Sequence, residues 1–276
     1  MRRRGLLRAL LAGPALFAGA RAAVASRRDA VEQPRLIIVI DDLGNALEAG
    51  RATLALPGPL DVAVLPHSPY GAELAREARR LGKEVMLHAP MANRQHLALG
   101  PGALTPDMDS TSFQQTLRNA LDSVPGAIGL NNHMGSLLTA RREPMEWVME
   151  VLAERGLLFV DSRTSADTLA WDVARERGIP AMMRDVFLDH EQTEAAIDLQ
   201  FRRALGVARE YGSALMIGHP YPVTLDYLNR TLPALDGLGF QRLTVSAFLR
   251  QQADFARLDP ADGRLFNSHR RHWGRG

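Results

Sequence analysis

Cysteine is absent from this 276-residue sequence, so neither a disulfide framework nor a thiolate metal site is available to it. No phosphate-binding Gly-x-x-x-x-Gly-Lys-Ser/Thr or Gly-x-Gly-x-x-Gly motif follows a strand-like run, and no Gly-x-Ser-x-Gly nucleophile elbow occurs. Internal repeats and low-complexity blocks are also missing. The chain is 46% hydrophobic, which suffices for one core, and α/β barrels of about 200–250 residues commonly form one domain.

Residues 1–25 have the features of a cleaved export signal. A basic start, MRRRGLLR, precedes an apolar stretch at Ala9–Ala20 that is too short to span a bilayer as a mature helix. Ala23-Val24-Ala25 is an A-x-A cleavage signal before Ser26. We therefore expect an exported protein, periplasmic or otherwise extracytoplasmic, with no stable transmembrane segment after cleavage; an uncleaved anchor is the alternative.

The apparent basicity of the chain belongs largely to this signal. Residues 1–25 contain five arginines and no acidic residue, so the remainder carries 28 basic against 31 acidic residues, a net charge of −3. This balance gives no reason to expect a nucleic-acid partner.

From Arg35 onward, short apolar runs alternate with helical patterns. The predicted strands are Leu36–Asp41, Val62–Leu65, Val85–His88, Ala127–Leu130, Leu158–Asp161, Met183–Leu188, Ala214–Ile217 and Leu243–Val245; the predicted helices are Ala46–Ala55, Gly71–Leu81, Ser112–Ser123, Glu143–Arg155, Ser165–Arg177, Glu191–Tyr211 and Leu225–Leu238. This alternation is typical of a parallel sheet, and seven or eight units favour a closed or nearly closed α/β barrel. We expect a linker at residues 26–34, the barrel at 35–252 and a polar, disordered tail at 253–276.

Polar side chains recur where the predicted strands end, which is where parallel α/β folds carry their chemistry. The first strand ends in Asp41 and Asp42. Strict alternation would send adjacent aspartates to opposite faces. We therefore expect the strand to stop there and Leu43-Gly44 to turn the chain, so that both carboxylates reach one site.

Metal binding explains the histidines and acids that follow separate strands. Asp42, His88 and His133 are the candidate ligands, because one carboxylate and two imidazoles make an open site for a divalent first-row ion, with Zn²⁺ expected. Such an ion lowers the pKa of bound water towards about 7. Asp41 is then the candidate base, and His219 the candidate acid for the leaving group.

Several further polar residues at the strand ends are candidates for substrate binding or for supporting the site. Asp161 or Asp189 would fix the tautomer of His219. The full set of supporting candidates is Asn132, Ser136, Asp161, Arg163, Arg184 and Asp189. We interpret His67, His96 and His190, which lie in less constrained contexts, as structural residues.

A set of segments carries a resemblance to a known family: IVIDDLG, MLHAPM, LGPGALT, VPGAIGLNNHMGSLLT, LFVDSRTS, RDVFLDH and MIGHPYP. From about Leu36 to Val245 the sequence resembles the divergent polysaccharide deacetylase family, which is distantly similar to NodB-type carbohydrate esterases. The resemblance implies a distorted (β/α)₇ barrel and metal-dependent hydrolysis of N- or O-acetyl groups on sugars.

The resemblance also implies roles for individual residues. The first aspartate of the family-type pair, the base, falls on Asp41, the second, a ligand, on Asp42, and the late histidine, the acid, on His219. The family-type metal histidines come as an H-x-x-x-H-like pair after the third strand. This sequence has His88 there but Ala92 four residues later, so we expect the second histidine ligand elsewhere and choose His133.

Three functional interpretations remain open at this point. The first is a metal-dependent deacetylase acting on an acetylated envelope polysaccharide or peptidoglycan; the second is a carbohydrate-binding or scaffold protein, weakly active or inactive, on the same barrel. The third is another metallohydrolase, such as a phosphoesterase or amidohydrolase. Asp41 and His219 favour an enzyme, because a pure binder needs neither an acid nor a base. The lack of a cationic cluster argues against phosphate esters, although Arg163 and Arg184 weaken that argument.

Overall fold

A computed structural model describes residues 33–258 of the chain as parallel strands that alternate with helices. The strands are β1 (Arg35–Leu43), β2 (Asp61–Val64), β3 (Glu84–Met91), β4 (Gly129–Met134), β5 (Leu158–Asp161), β6 (Ala181–Met183), β7 (Val186–Phe187), β8 (Ser213–Gly218) and β9 (Gln241–Leu243). The α-helices are α1 (Leu47–Leu54), α2 (Gly71–Arg80), α3 (Ser110–Asp122), α4 (Arg142–Arg155), α5 (Ala170–Glu176), α6 (Glu194–Tyr211), α7 (Pro222–Thr231) and α8 (Val245–Leu258). Within residues 33–258, no helix is long and apolar enough to cross a membrane. The predicted export signal, most of the predicted linker and residues 259–276 lie outside the described residues.

The sheet is built around β1, and neighbouring strands are parallel throughout. The strand order is β6-β5-β4-β3-β2-β1-β8-β7, and β9 pairs with the first residues of β1. The two ends of this order, β6 and β7, are separated in the chain only by Arg184 and Asp185. The Arg184 N–H donates to the Asp161 carbonyl of β5 at 2.9 Å, and the Asp185 N–H donates to the Leu215 carbonyl of β8 at 2.9 Å. These adjacent residues join the two edges, and the curled sheet confirms the predicted distorted (β/α)₇ barrel.

The apolar run of β1 is buried on both faces, as its composition predicts. Leu36, Ile38 and Ile40 belong to the apolar cluster that includes the helices, whereas Ile37 and Val39 belong to the cluster inside the barrel. Each of these side chains is at most 1% exposed, and burial of such a side chain contributes about 1.5–3 kcal/mol. This packing makes β1 a rigid support for the carboxylates at its end.

Helix α8 lies across the amino-terminal end of the barrel. Its residues Val245 and Phe248 pack with the interior cluster. The Val245 N–H donates to Asp61 Oδ2 at 3.0 Å, and the Ser246 N–H donates to Glu84 Oε2 at 3.2 Å, so two carboxylates face the positive end of the helix. Burial and the neighbouring Glu84 raise the pKa of Asp61 well above its ordinary value. The carboxyl ends of the strands therefore remain as the open end.

A cavity of about 780 Å³ also lies at this amino-terminal end. Its walls are mostly apolar and include Trp171, Met182 and Phe248. None of the predicted ligands, acids or bases lines it. The cavity is therefore separate from the predicted site.

The predicted elements differ from the structure at several boundaries, of which four matter most for the fold. The single strand predicted at Met183–Leu188 is two short strands, β6 and β7, because the chain changes edges between them. Strand β4 continues past the predicted end at Leu130 as far as Met134. The helix predicted from Ser165 begins only at Ala170, since the Asp161 carboxylate accepts hydrogen bonds from the intervening loop. Helix α8 was not predicted, and it continues through residue 252, the predicted end of the barrel.

Candidate functional site

The two adjacent aspartates reach one site because β1 bulges. The register between β1 and β2 shifts between Ile40 and Leu43, so the two residues Asp41 and Asp42 interrupt the alternation. Asp42 has a φ of 61°, in the left-handed region that aspartate adopts more readily than most residues. The prediction that the strand stops at the aspartates was wrong. The strand continues to Leu43, and the bulge turns both carboxylates towards His88.

Three of the predicted residues meet at the carboxyl ends of β1, β3 and β4. Asp42 Oδ1 lies 3.2 Å from His88 Nε2 and 3.0 Å from His133 Nδ1, and the two imidazole nitrogens are 3.1 Å apart. In the parallel register of β3 and β4, His88 lies beside Asn131 and Pro90 beside His133. Ala92, four residues after His88, is buried in the core and offers no ligand. The neighbouring strand supplies the second imidazole instead.

This triangle fits a divalent ion. Asp42 Oδ1 is buried and has no hydrogen-bond partner among the described residues, although two imidazole nitrogens lie within 3.2 Å of it. Ligands bound to Zn²⁺ at about 2.0–2.2 Å in tetrahedral geometry are roughly 3.3–3.5 Å apart, which is close to the observed separations. One carboxylate and two imidazoles also leave positions for water and substrate. Among residues 33–258, Asp42, His88 and His133 are the one such group of three.

Asn131 connects this triangle to Asp41 and was not among the predicted site residues. Its Nδ2 donates to Asp41 Oδ1 at 2.7 Å, and its Oδ1 lies 2.8 Å from His88 Nδ1. Because an amide oxygen only accepts, His88 keeps a proton on Nδ1 and directs Nε2 at Asp42 and His133. Asn131, Asp41 and His88 are each at most 2% exposed. One buried amide therefore fixes the candidate base and the tautomer of one candidate ligand.

His219 approaches the same cluster from β8. Its Nε2 lies 3.9 Å from Asp42 Oδ2, and its Nδ1 lies 2.9 Å from Asp189 Oδ1. Asp189 is 2% exposed, and its Oδ2 accepts from the His219 N–H at 2.6 Å and from Thr224 Oγ1 at 2.9 Å. Burial opposes protonation, but the Asp189 hydrogen bond and the charge of Asp41 raise the pKa of His219 above its ordinary value. His219 and Asp189 thus form a pair that favours the imidazolium.

The charges of the cluster shift the pKa values of its other members. Burial opposes ionisation of Asp42, but the nearby imidazoles of His133 and His88 outweigh it and hold the pKa of Asp42 well below its usual range. Burial also opposes protonation of His88, yet the Asp41 and Asp42 carboxylates raise its pKa to about 9. At Asp41 burial dominates, so its pKa is raised despite the nearby His88 and His219.

Asn132 and Ser136, both predicted to support the site, bind loop backbone around it. Asn132 Oδ1 accepts from the Ser162 N–H at 2.9 Å, and Asn132 Nδ2 donates to the Met134 carbonyl at 2.7 Å. Ser136 Oγ accepts from the Arg94 N–H at 3.1 Å. These contacts tie the end of β4 to the loops after β3 and β5.

Asp161 and Asp189 were the two predicted partners of His219, and it is Asp189 that contacts its imidazole. The Asp161 carboxylate instead accepts from the Arg163 N–H at 2.8 Å and from Thr168 Oγ1 at 2.9 Å. Arg184 Nε donates to the Ser162 carbonyl at 2.6 Å, and Arg184 Nη2 donates to the Arg163 carbonyl at 2.7 Å. The two arginines therefore lie together beside the cluster.

Comparisons of the sequence place it among uncharacterized bacterial relatives. The sequence profile described as divergent polysaccharide deacetylase matches residues 38–249. The Escherichia coli K12 protein YibQ, described as uncharacterized, is 42% identical over 196 residues, covering 71% of this chain and 61% of that protein. An uncharacterized Haemophilus influenzae protein is 37% identical over 204 residues, covering 73% of each chain. The match thus spans less than two thirds of the Escherichia coli protein.

Comparisons of the structure show the same fold in solved proteins. The crystal structure of the uncharacterized protein ATU2773 from Agrobacterium tumefaciens has a TM-score of 0.74 at 24% identity, over 79% of this chain and 89% of that one. The structure of BA3943 from Bacillus anthracis, described as a CE4 family pseudoenzyme, has a TM-score of 0.50 at 12% identity, over 79% and 66%. At these identities the likeness shows the fold alone.

Proposed function

Because the chain belongs to the divergent polysaccharide deacetylase family, we propose that it is a metal-dependent hydrolase that removes acetyl groups from a polysaccharide or peptidoglycan of the cell envelope. The observation that carries this proposal is the buried Asp42 Oδ1, which has two imidazole nitrogens within 3.2 Å and, among residues 33–258, no hydrogen-bond partner. The Asp41 carboxylate and the His219–Asp189 pair flank it.

In this proposal Asp42, His88 and His133 hold one divalent ion, Zn²⁺ by its preference for this donor set. The ion would supply Lewis-acid activation of water and of the acyl carbonyl. Asn131 keeps the Nδ1 proton of His88 in place, so that the Nε2 lone pair stays directed at the cluster.

Asp41 is the proposed general base. Asn131 holds its Oδ1, and its Oδ2 lies 3.7 Å from His88 Nε2 at the edge of the cluster. From there Oδ2 takes a proton from the attacking water. His219 is the proposed acid: its Nε2 gives a proton to the leaving amine or alcohol while Asp189 keeps the Nδ1 proton fixed. Acetate and a free amino or hydroxyl group are the products.

We also propose that the protein acts outside the cytoplasm, because residues 1–25 have the pattern of a cleaved export signal and the proposed substrate belongs to the envelope. Ala92, at the position of the family-type second histidine, motivates the second candidate function, a carbohydrate-binding protein without turnover on the same barrel. Acetate release distinguishes the two.

The test is acetate release from N-acetylated and O-acetylated glycans by protein loaded with Zn²⁺, alongside elemental analysis. Asp42→Asn should lose metal and activity together, and excess metal should restore part of the rate. Asp41→Asn should keep the ion but lose about 10²–10⁴-fold in rate, since general-base assistance has this magnitude. Excess metal should not recover that loss.

A matched control is His96→Asn, at an exposed histidine with a φ of 54° that asparagine also tolerates. It should keep wild-type metal content and rate. If Asp41→Asn loses the ion and Asp42→Asn keeps it, the two roles are reversed. Glycan binding without any acetate release, in protein that holds one ion per chain, would establish the second candidate instead.

A further inference from the structure

A cationic pocket of about 380 Å³ adjoins the candidate site. It lies between the loop after β5, the junction of β6 and β7, and helix α6, and its volume is within the range of small ligand sites. Arg163, Arg184, Arg203 and His190 are among the residues that line it, and we call it the arginine pocket. These residues are distant from one another in the sequence. Arg203 was not among the predicted site residues, and His190 was interpreted as structural.

Among the described residues that line the arginine pocket, arginines outnumber carboxylates by three to one. The carboxylate among them, Asp185, is 6% exposed and accepts the Leu215 N–H of β8 at 2.8 Å. Arg184 donates to two neutral backbone carbonyls, and among the described residues no carboxylate lies within ion-pair distance of it. Burial and the nearby charge of Arg163 lower the pKa of Arg184 to about 10. Several arginines around one pocket favour an anion as its ligand.

Phe187 connects the arginine pocket to the candidate acid. Its ring centroid is 5.2 Å from that of His219 and 6.1 Å from that of His190, and the Arg184 guanidinium lies 5.1 Å from it. The pocket is therefore one aromatic ring away from the point at which a leaving group would be protonated. A bound anion there belongs to a neighbouring part of the substrate and not to the reacting group, which argues against a phosphoester as the bond that is cleaved.

We propose that the arginine pocket binds a carboxylate on the sugar next to the acetylated one, so that the substrate is an acidic glycan. Guanidinium groups pair with planar carboxylates through two parallel hydrogen bonds, which gives both affinity and orientation. This inference rests on the proposed function, because the position of the pocket beside His219 gives it meaning only when a glycan lies in the site.

The test compares two probes by calorimetry in the Asp41→Asn background, which slows deacetylation. One probe is a tetrasaccharide of alternating N-acetylglucosamine and glucuronic acid; the other is the same tetrasaccharide with its carboxylates reduced to alcohols. The acidic probe should bind about 10-fold more tightly, the lower end of what hydrogen bonds to charged groups contribute. Arg203→Gln and Arg163→Gln should each remove about 5–10-fold of affinity for the acidic probe only.

Arg202→Gln is the matched control, because it removes the same charge from the next residue of α6 while its side chain pairs with Asp198 at 2.9 Å outside the pocket. It should leave both affinities unchanged. Equal binding of the two probes, or equal losses in Arg202→Gln and Arg203→Gln, would overturn the inference. The inference would also be overturned if the pocket bound inorganic phosphate, Arg203→Gln and Arg163→Gln weakened that binding, and the acidic and reduced tetrasaccharides bound equally well. Selective binding of the acidic probe without acetate release from any glycan by the wild type would overturn the proposed function and leave the pocket assignment standing.

Discussion

Replacement of Asn131 by aspartate separates the proposed base from the proposed ligand set with a single isosteric change. The wild-type amide donates to Asp41 Oδ1 at 2.7 Å and accepts at 2.8 Å from His88 Nδ1. Asn131→Asp keeps an acceptor for His88 and replaces the donor to Asp41 with a second carboxylate oxygen. The two halves of the contact should therefore respond in opposite ways.

The magnitude follows from these contacts. Loss of the hydrogen bond from the Asn131 amide removes about 1.5–3 kcal/mol of stabilisation from the ionised Asp41 carboxylate. Two buried carboxylates at this separation cannot both ionise, so they share one proton and the pKa of Asp41 rises further. Asp41 then holds a proton at pH 7, and kcat should fall about 10²–10⁴-fold. Metal content should not change, because a carboxylate behind an imidazole ligand strengthens that ligand.

The assay is the pH dependence of kcat together with elemental analysis of wild type, Asn131→Asp and Asn131→Leu. A base with a raised pKa is restored by deprotonation, so the deficit of Asn131→Asp should shrink as pH rises. Asn131→Leu, which removes both contacts, should lose metal affinity as well. A kcat for Asn131→Asp within about threefold of the wild type at pH 7, or loss of its ion, would refute this reading of Asn131.

Two further predictions concern the histidines. The hydrogen bond that His219 Nδ1 donates to Asp189 raises the pKa of His219, and an acid must begin protonated. Asp189→Asn should therefore move the basic limb of the kcat–pH profile to lower pH, and His219→Ala should flatten it. An unchanged profile in both variants would leave His219 structural. His88 has a pKa of about 9 in the metal-free protein, so at pH 7 metal binding must displace its proton. Calorimetry in buffers of different ionisation enthalpy should show about one proton released, with affinity rising about tenfold per pH unit up to pH 9; metal binding without proton release would contradict this.

The barrel was predictable because its strands are buried on both faces. The runs around Ile38, Val62 and Leu215 are apolar at consecutive positions, and helical patterns separate them. The hydrophobic pattern did not show which strands lie at the edges of the sheet. The change of sheet edge at Arg184 and Asp185 leaves no mark in the hydrophobic period, because both residues bond through their backbones to strands distant in sequence.

The site was predictable as a set of strand ends, but Asn131 was missed through an error in one boundary. With β4 ended at Leu130, Asn131 was one of several polar residues that follow the strand, and nothing singled it out as part of the site. In a strand that continues to Met134, Asn131 and His133 are two residues apart and project to the same face. An extended β4 is the signal that would have placed Asn131 beside His88. Arg203 and His190 had no such signal, because their relation to Arg163 depends on how α6 packs.

The bulge in β1 also determines which variants of Asp42 are informative. The residue has a φ of 61°, where asparagine is tolerated about as well as aspartate but most other side chains are strained. Asp42→Asn therefore changes the charge and the ligand while the backbone keeps its conformation. Asp42→Ala adds a backbone cost of roughly 1–2 kcal/mol to the loss of the ligand. It could relax the bulge and move Asp41 as well, so loss of activity in that variant would not separate the ligand from the base.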